Sequence, residues 1–201
     1  MDTFVLSNFD THILLSKSTA DDTFVSSAVV GGVSDTYVEV DNVINFQSGE
    51  INKDTKTYRT LTNDGWESIA VLGQSIGDHT ISCIRPADGI YQGEGDTGTT
   101  NYEILRKWFM DSLGANNFKA RRKLIVISPR LASQGASTIS YEATEYNVIP
   151  KTFKEGDKDP DAGQEFEITV GAFGRPYSAS ASKSENTGVT TWTFAKTDPS
   201  T

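Results

Sequence analysis

The residue types able to do chemistry are few in this chain, and most are badly spaced for it. His79 and Cys83 stand four apart, and a Cys–His pair can generate a thiolate nucleophile. On a strand they would share a face, yet at about 3.3 Å per residue they lie roughly 13 Å apart, beyond hydrogen-bond reach. The expectation is therefore a buried, inert Cys83 and a His79 in a loop. Gly93 to Thr100 reads Gly-Glu-Gly-Asp-Thr-Gly-Thr-Thr ahead of a helix start, where phosphate-cradling loops sit. A Walker loop needs a Lys before its Ser or Thr, and none is present; Glu94 and Asp96 would also repel phosphate. Asp157, Asp159 and Asp161 alternate as in calcium loops. The sixth position is Ala162 rather than Gly, the twelfth is Ile168 rather than Glu, and Pro160 interrupts. An acidic turn is expected there, with calcium left as the alternative. Glu39 with Asp41, and Glu165 with Glu167, are carboxylates two apart. Glycosidase chemistry uses such pairs, but within a cleft with aromatic platforms that nothing in the sequence identifies. Trp66, Trp108 and Trp192 are scattered and read as core or interface residues. No enzyme, cofactor or metal site is expected.

The whole-chain numbers narrow the classes further. The chain has 201 residues, 18 of them basic and 27 acidic, for a net charge of −9. Length favours one domain, with an arm or insertion. The acidic balance excludes wrapping of nucleic acid, which needs Lys and Arg to neutralise phosphates. One cysteine excludes an intrachain disulfide, and one Cys with two His cannot build a four-ligand N/S zinc site. Met1-Asp2-Thr3-Phe4 has no basic region of the signal-peptide kind. The longest clean apolar run, Leu124 to Ile127, is far short of the roughly 20 residues that span a bilayer. A soluble chain made in the cytoplasm, without membrane binding, is expected.

The elements that must position these residues are mostly strands. Thr3–Leu6 and His12–Leu15 are short apolar pieces, and Val25–Val33 is a Ser, Val and Gly segment. Tyr37–Asn45 alternates Val38 and Val40 with Glu39 and Asp41, as a half-buried strand does. Thr55–Leu61 reads as its hairpin partner. Asn63-Asp64-Gly65 signals a turn. Trp66–Leu72 and Thr80–Ile84 read as strands separated by Gly73–Asp78, and Pro86–Gly98 as a loop. Thr100 and Glu103 form a capping box, and Ile104, Leu105, Trp108, Phe109 and Leu113 make one helical stripe ended by Gly114. Lys119–Ile127 reads as a strand ended by Ser128-Pro129. Ser137–Ile149 reads as a long strand or bent hairpin arm stopped by Pro150, and Glu165–Ala172 as a strand closed by Gly174-Arg175-Pro176. Ser178–Gly188 reads as a Ser/Ala-rich connector before a last strand, Val189–Ala195. The expected fold is mainly β: an antiparallel β-sandwich or barrel with one flanking α-helix, about residues 100–113. A β domain with an N-terminal arm spans 1–176, and 177–201 is a connector and terminal strand.

Charge is segregated along this map. Glu39, Asp41, Glu50 and Asp54 face only Lys53, whereas Lys119, Arg121, Arg122, Lys123 and Arg130 have no acid among them. Between Tyr141 and Val170 acids again prevail. Such patches suit contacts between subunits, and they equally suit an ordinary solvated surface.

The order of these features resembles the tail tube protein (major tail protein) family of tailed bacteriophages. The resemblance rests on the acidic strand hairpin Tyr37–Leu61, the turn Asn63-Asp64-Gly65-Trp66-Glu67, and the Gly-interrupted strands up to Cys83. It continues through the single helix 100–113, the strand Lys123–Ile127, and the pair Tyr141–Ile149 and Glu165–Gly171 closing at Gly174-Arg175-Pro176. It covers roughly Thr3 to Pro176, as order and texture rather than a strict motif. It implies homo-hexameric rings that stack into a virion tail tube, each subunit giving four strands to an inner barrel of 24. At about 4.8 Å per strand and a tilt of about 40°, that barrel measures roughly 48 Å across its backbones and about 40 Å inside its side chains. Duplex DNA would pass through without being bound, because an acidic lumen repels phosphates. The expected lumen carboxylates are Glu39, Asp41, Glu165 and Glu167, with Glu142 and Glu145 secondary because their spacing puts them on opposite faces. The segment Phe46 to Tyr58, with Lys53 and Lys56, resembles the long loop that reaches a neighbouring subunit or ring. Arg121, Arg122 and Lys123 are the second contact candidate. The implied partners are further copies of the chain, a tape-measure protein and tail completion or terminator proteins. Chain length tilts the expectation toward a long non-contractile tail. The alternatives are a tube protein of a phage-derived injection particle and a monomeric adhesin-like or carbohydrate-binding β-sandwich.

Overall fold

Two long strands, β9 (Ser140–Glu155) and β10 (Gln164–Asn186), organise the molecule. Before them come β1 (His12–Ser16), β2 (Ser27–Val30), β3 (Tyr37–Glu39), β4 (Val43–Gln47), β5 (Ile51–Arg59), β6 (Glu67–Ile76), β7 (Asp78–Arg85), helix α1 (Asn101–Ser112) and β8 (Arg122–Arg130); β11 (Val189–Lys196) follows. The computed structural model describes residues 11–32, 34–59, 67–85, 101–114, 120–130, 140–156 and 164–197. The fold is mainly antiparallel β with a single helix among these residues.

One sheet runs in the order β2-β11-β10-β9-β8-β1-β3. Its two ends meet: Thr36 N–H donates to the Val29 carbonyl at 3.0 Å, and Val29 N–H donates to the Thr36 hydroxyl at 3.2 Å. The sheet thus rolls up around Leu14, Tyr37, Ile125, Ile127, Trp192 and Phe194, with Ala28, Ala143, Ala179 and Ala181 between them. The alanines leave room for Trp192, which is fully buried. Small residues alternating with large ones fill a narrow barrel in this way.

A second layer branches from the same two strands. The first half of β10 pairs with β7, from Gln164↔Arg85 to Gly171↔Asp78, and β7 pairs with β4. With the outer half of β9 this gives a four-stranded sheet, β4-β7-β10-β9. Its inner face carries Ile81, Cys83, Phe166, Ile168 and Val170, packed on Tyr102, Leu105 and Trp108 of α1 and on Ile13, Leu15 and Leu124 from the outside of the barrel. Trp108 donates its indole N–H to the Ala120 carbonyl at 2.6 Å. Strands β1 and β8 are therefore covered on both faces, which is why Leu124–Ile127 is apolar without alternation.

Several boundaries differ from the sequence expectation. Tyr37–Asn45 is two strands: Asn42 has φ +56°, so β3 pairs with β1 while β4 pairs with β7. The partner of β5 is β6, from Ile51↔Ile76 to Arg59↔Glu67, and not the Tyr37–Asn45 run, whose two strands pair with β1 and β7. β6 continues through Gly73 to Ile76. Ser128-Pro129 does not end β8, and Pro150 does not end β9. At Pro150 the β9–β10 register shifts, and a bulge tolerates the missing N–H. Gly174-Arg175-Pro176 bends β10 rather than closing it: Gly174 has φ +73°, and the register shifts between Phe173 and Tyr177. The Ser/Ala-rich segment is the second half of that strand, with Ala179 and Ala181 inward and Ser178, Ser180 and Ser182 outward. The expected strand Thr3–Leu6, the Asn63-Asp64-Gly65 turn, the loop of Pro86–Gly98, Thr100 of the capping box and the Asp157–Asp161 turn lie outside the described residues.

Candidate functional site

The outer face of the four-stranded sheet is built from rows that cross all four strands. One row is Gln47–Thr80–Thr169–Thr152 and the next is Asn45–Ser82–Glu167–Lys154. Glu165 lies one step further along β10, opposite Ile84. Period-two alternation puts these polar side chains on one face because Ile81, Cys83, Phe166 and Ile168 occupy the other. At the far end, Lys151 lies across Gly171 and reaches Asp78 at 2.6 Å. A Cβ at Gly171 would stand 2.5 Å from Lys151 Cε, so the lysine lies close over the bare glycine as the bridge spans β9, β10 and β7.

The face has two sheet edges. β4 pairs with β7 on one side and has no strand on its other side among the described residues. β9 pairs with β8 only from Ser140 to Val148, so among the described residues its outer part, 149–155, pairs with β10 alone. A strand edge of this kind offers backbone donors and acceptors to another strand.

The sequence-selected carboxylates divide. Glu165 is exposed and Glu167 half-buried, and both lie on this face. Glu39 does not: it sits in the barrel wall on β3, pairs with β1, and accepts a short hydrogen bond from His12. Asp41 lies between β3 and β4, because Asn42 breaks the expected strand. Glu142 is exposed and Glu145 buried, on opposite faces. Lys151, Lys154 and Asp78 were missed; the bulge at Pro150 hides the spacing that would have put the two lysines beside the acids.

The basic triplet also divides. Arg121 places its guanidinium over the Phe173 ring, 4.6 Å from the centroid. Arg122 is half-buried, and burial lowers its pKa, with Asp111 opposing. Lys123 is turned inward, because strand alternation from the inward Ile125 carries it to the same side. Its ammonium pairs with Glu145 at 2.8 Å and Asp21 at 3.3 Å and donates to the Thr23 carbonyl. Both Lys123 and Glu145 are nearly fully buried, so Lys123 leaves the set of surface contacts.

Among the other contact candidates, Phe46 is half-buried and stacks on His79, while Lys53 is exposed on β5. Lys56 and Tyr58 occupy β5 positions opposite Ala70 and Ser68 of β6. His79 is on a strand rather than in a loop, fully buried, and Cys83 is buried as expected. Burial pushes the Cys83 thiol up to about 12, with Asp41 adding to the shift. An open cleft of about 450 Å³ separates β4 from the barrel wall, lined by Ile13, Phe46, Val126 and Tyr146 with Glu142 at its margin. No nucleophile–base pair converges there. Among the described residues no group of three or more His, Cys, Asp or Glu could hold a metal ion, and no helix is long and apolar enough to cross a membrane.

No protein-family model matches the chain, and no curated protein matches it. Solved structures do. The sheath/tube terminator of PVC, an extracellular contractile injection system, in its extended state aligns with a TM-score of 0.52 at 13% identity, covering 88% of this chain and 97% of that one. The anti-feeding prophage cap, a tube-terminating cap, aligns at 0.46 and 17% identity, over 87% and 97%. A chain of the PVC sheath–tube complex in its extended state aligns at 0.49 and 13%, over 87% and 91%. At these identities the likeness is one of fold, and the PVC terminator carries it.

Proposed function

We propose that this chain is a structural subunit of a tail-like tube, not an enzyme. Copies join edge to edge into homo-hexameric rings, and the rings stack. The observation that carries this reading is the four-stranded sheet with a polar outer face and two edges that carry no further strand among the described residues. Joining the β4 edge of one copy to the 149–155 edge of the next continues the sheet without a break and removes both edges. Six copies supply 24 strands and a bore of about 40 Å. The PVC terminator, a part of a tube-bearing particle with the same fold, supports placing the chain in such a particle.

The bore is lined by Gln47, Thr80, Thr152 and Thr169, with Glu165, Glu167 and Asp78 set against Lys151 and Lys154. Acids outnumber bases narrowly, and hydroxyls and amides fill the rest. Duplex DNA in transit finds no basic track to hold it. Partners are other copies, a tape-measure protein inside, and terminator or completion proteins at the tube ends, with the chain residing in the virion tail after synthesis in the host cytoplasm. A second reading, favoured by the PVC terminator fold, is a single ring capping a tube made by another protein.

Cysteines placed at Gln47 and Thr152 test the edge pairing. Each lies at the margin of the same row, and the native Cys83 is buried. Oxidation of the doubly substituted protein yields a ladder of covalent oligomers ending at six, while either single variant yields none above dimer. A doubly substituted protein that stays monomeric under assembly conditions contradicts the pairing.

A further inference from the structure

The arm made by β5 and β6 leaves the body at one crossing. The β4–β7 ladder runs to Gln47↔Thr80, and the β5–β6 ladder starts at Ile51↔Ile76. Between them Gly77 N–H donates to the Glu50 carbonyl at 2.8 Å. A Cβ on Gly49 would stand 2.1 Å from the Gly77 carbonyl oxygen, so the two chains touch backbone to backbone. The crossing is held from beneath by a side chain: Gly49 N–H donates to Nδ1 of His79 at 2.9 Å. His79 is 0% exposed. Its ring stacks on Phe46 at 6.0 Å and tilts against Tyr146 at 4.4 Å, and Val170 lies opposite it on β10. Its Nε2 has no hydrogen-bond partner.

An imidazole nitrogen accepts a hydrogen bond only while unprotonated. A proton on Nδ1 sets donor against donor at Gly49 and places a charge between Phe46, Tyr146 and Val170. Both effects oppose the folded crossing. The titratable and charged groups around the ring are Asp78 beside it on β7, Lys151 of β9 paired to Asp78, Tyr146 of β9, and Glu50 at the crossing. β4 and β10 present the uncharged Phe46 and Val170. Burial lowers the His79 pKa, and Asp78 works against it more weakly.

We infer that His79 is a latch for the β5–β6 arm. Its neutral ring ties Gly49 and fixes the angle at which the arm leaves the body, and protonation lets the crossing go. The latch operates within one chain, so it goes beyond the assembly reading and stands apart from it.

Hydrogen exchange of the purified chain, followed from pH 8 to pH 5 and corrected for intrinsic rates, tests this. Protection at Gly49 and the arm root is expected to fall on acidification by up to about tenfold per pH unit, the limit for one linked proton. In His79→Asn, an amide oxygen replaces Nδ1 and does not titrate, so protection is expected to persist at pH 5. His12→Asn removes the only other histidine, and the wild-type profile is expected to remain. The β10–β11 hairpin reports whether each variant is folded. Protection at the root that stays flat in the wild type, or falls equally in His79→Asn, overturns the latch. If His79→Asn does not fold, NMR of His12→Asn decides: the His79 ring and the Gly49 amide are expected to titrate together. A Gly49 amide that ignores the ring titration overturns the proposal.

Discussion

Removing the Glu145 carboxylate should be among the costliest single changes to this fold. Glu145 receives the Lys123 ammonium at 2.8 Å through one oxygen and the Val25 N–H at 3.0 Å through the other. The two side chains are 4% and 6% exposed. Glu145→Leu leaves the Lys123 ammonium buried, with Asp21 and the Thr23 carbonyl as its remaining partners, and orphans Val25 N–H. Breaking a buried pair in this way costs about 3–5 kcal/mol, which for a chain of this size lowers Tm by about 6–20 °C. Lys123→Met with Glu145→Leu removes both charges and leaves chiefly the orphaned Val25 amide, a cost of about 1–3 kcal/mol. The double variant should thus be more stable than Glu145→Leu alone. Urea unfolding of the wild type, Glu145→Leu, Lys123→Met and the double variant, read by tryptophan fluorescence, measures the cycle. A Glu145→Leu cost below about 1 kcal/mol, or a double variant as unstable as the sum of its parts, refutes the reasoning.

Cys83 should resist thiol reagents at pH 8 in the native chain and react fully in guanidinium, because burial holds its thiol at about 12. The raised value also sets a sign: the thiol's share of stability is complete below its ordinary value of 9.0 and is lost as pH climbs from there towards about 12, which alkaline unfolding curves of Cys83→Ala against wild type would register. Charge reversal at Lys53 and Lys56 should weaken polymerisation while the far-ultraviolet spectrum stays that of the folded chain; tubes of normal length and yield by electron microscopy would remove β5 from the contact between copies.

The class of fold was legible in the sequence, and so was the helix, because an amphipathic stripe of Leu105, Trp108 and its neighbours carries a strong periodic signal. Strand ends were not. Pro150, Pro129 and Gly174 are stop signals in isolation, yet β8, β9 and β10 continue through them: the β9–β10 register shifts at Pro150 and around Gly174, and Pro129 lies beyond the β1–β8 ladder, where β8 pairs with β9 alone among the described residues. The Ser/Ala segment 178–188 looked like a connector because its inward positions are alanines, which mark a core only beside Trp192. Pairing partners were the least legible feature. Glu39 and Asp41 alternate correctly, but β3 ends at Glu39 and the positive φ at Asn42 leaves Asp41 in the link to β4. Lys123 and Glu145 are 22 residues apart, and nothing local announces that they meet in the interior. His79 reads as a loop residue because the turn signals Gly73 and Gly77 precede it, whereas only Gly77 interrupts the strands.

Electron microscopy of the purified chain under assembly conditions addresses the central claim most directly. The account predicts six-fold rings stacked into tubes, with a bore of about 40 Å lined by the β4-β7-β10-β9 sheet and its strands continuous from one copy to the next. Rings of another symmetry, or six-fold rings whose bore is lined by the β2-β11-β10 face of the barrel, would contradict it.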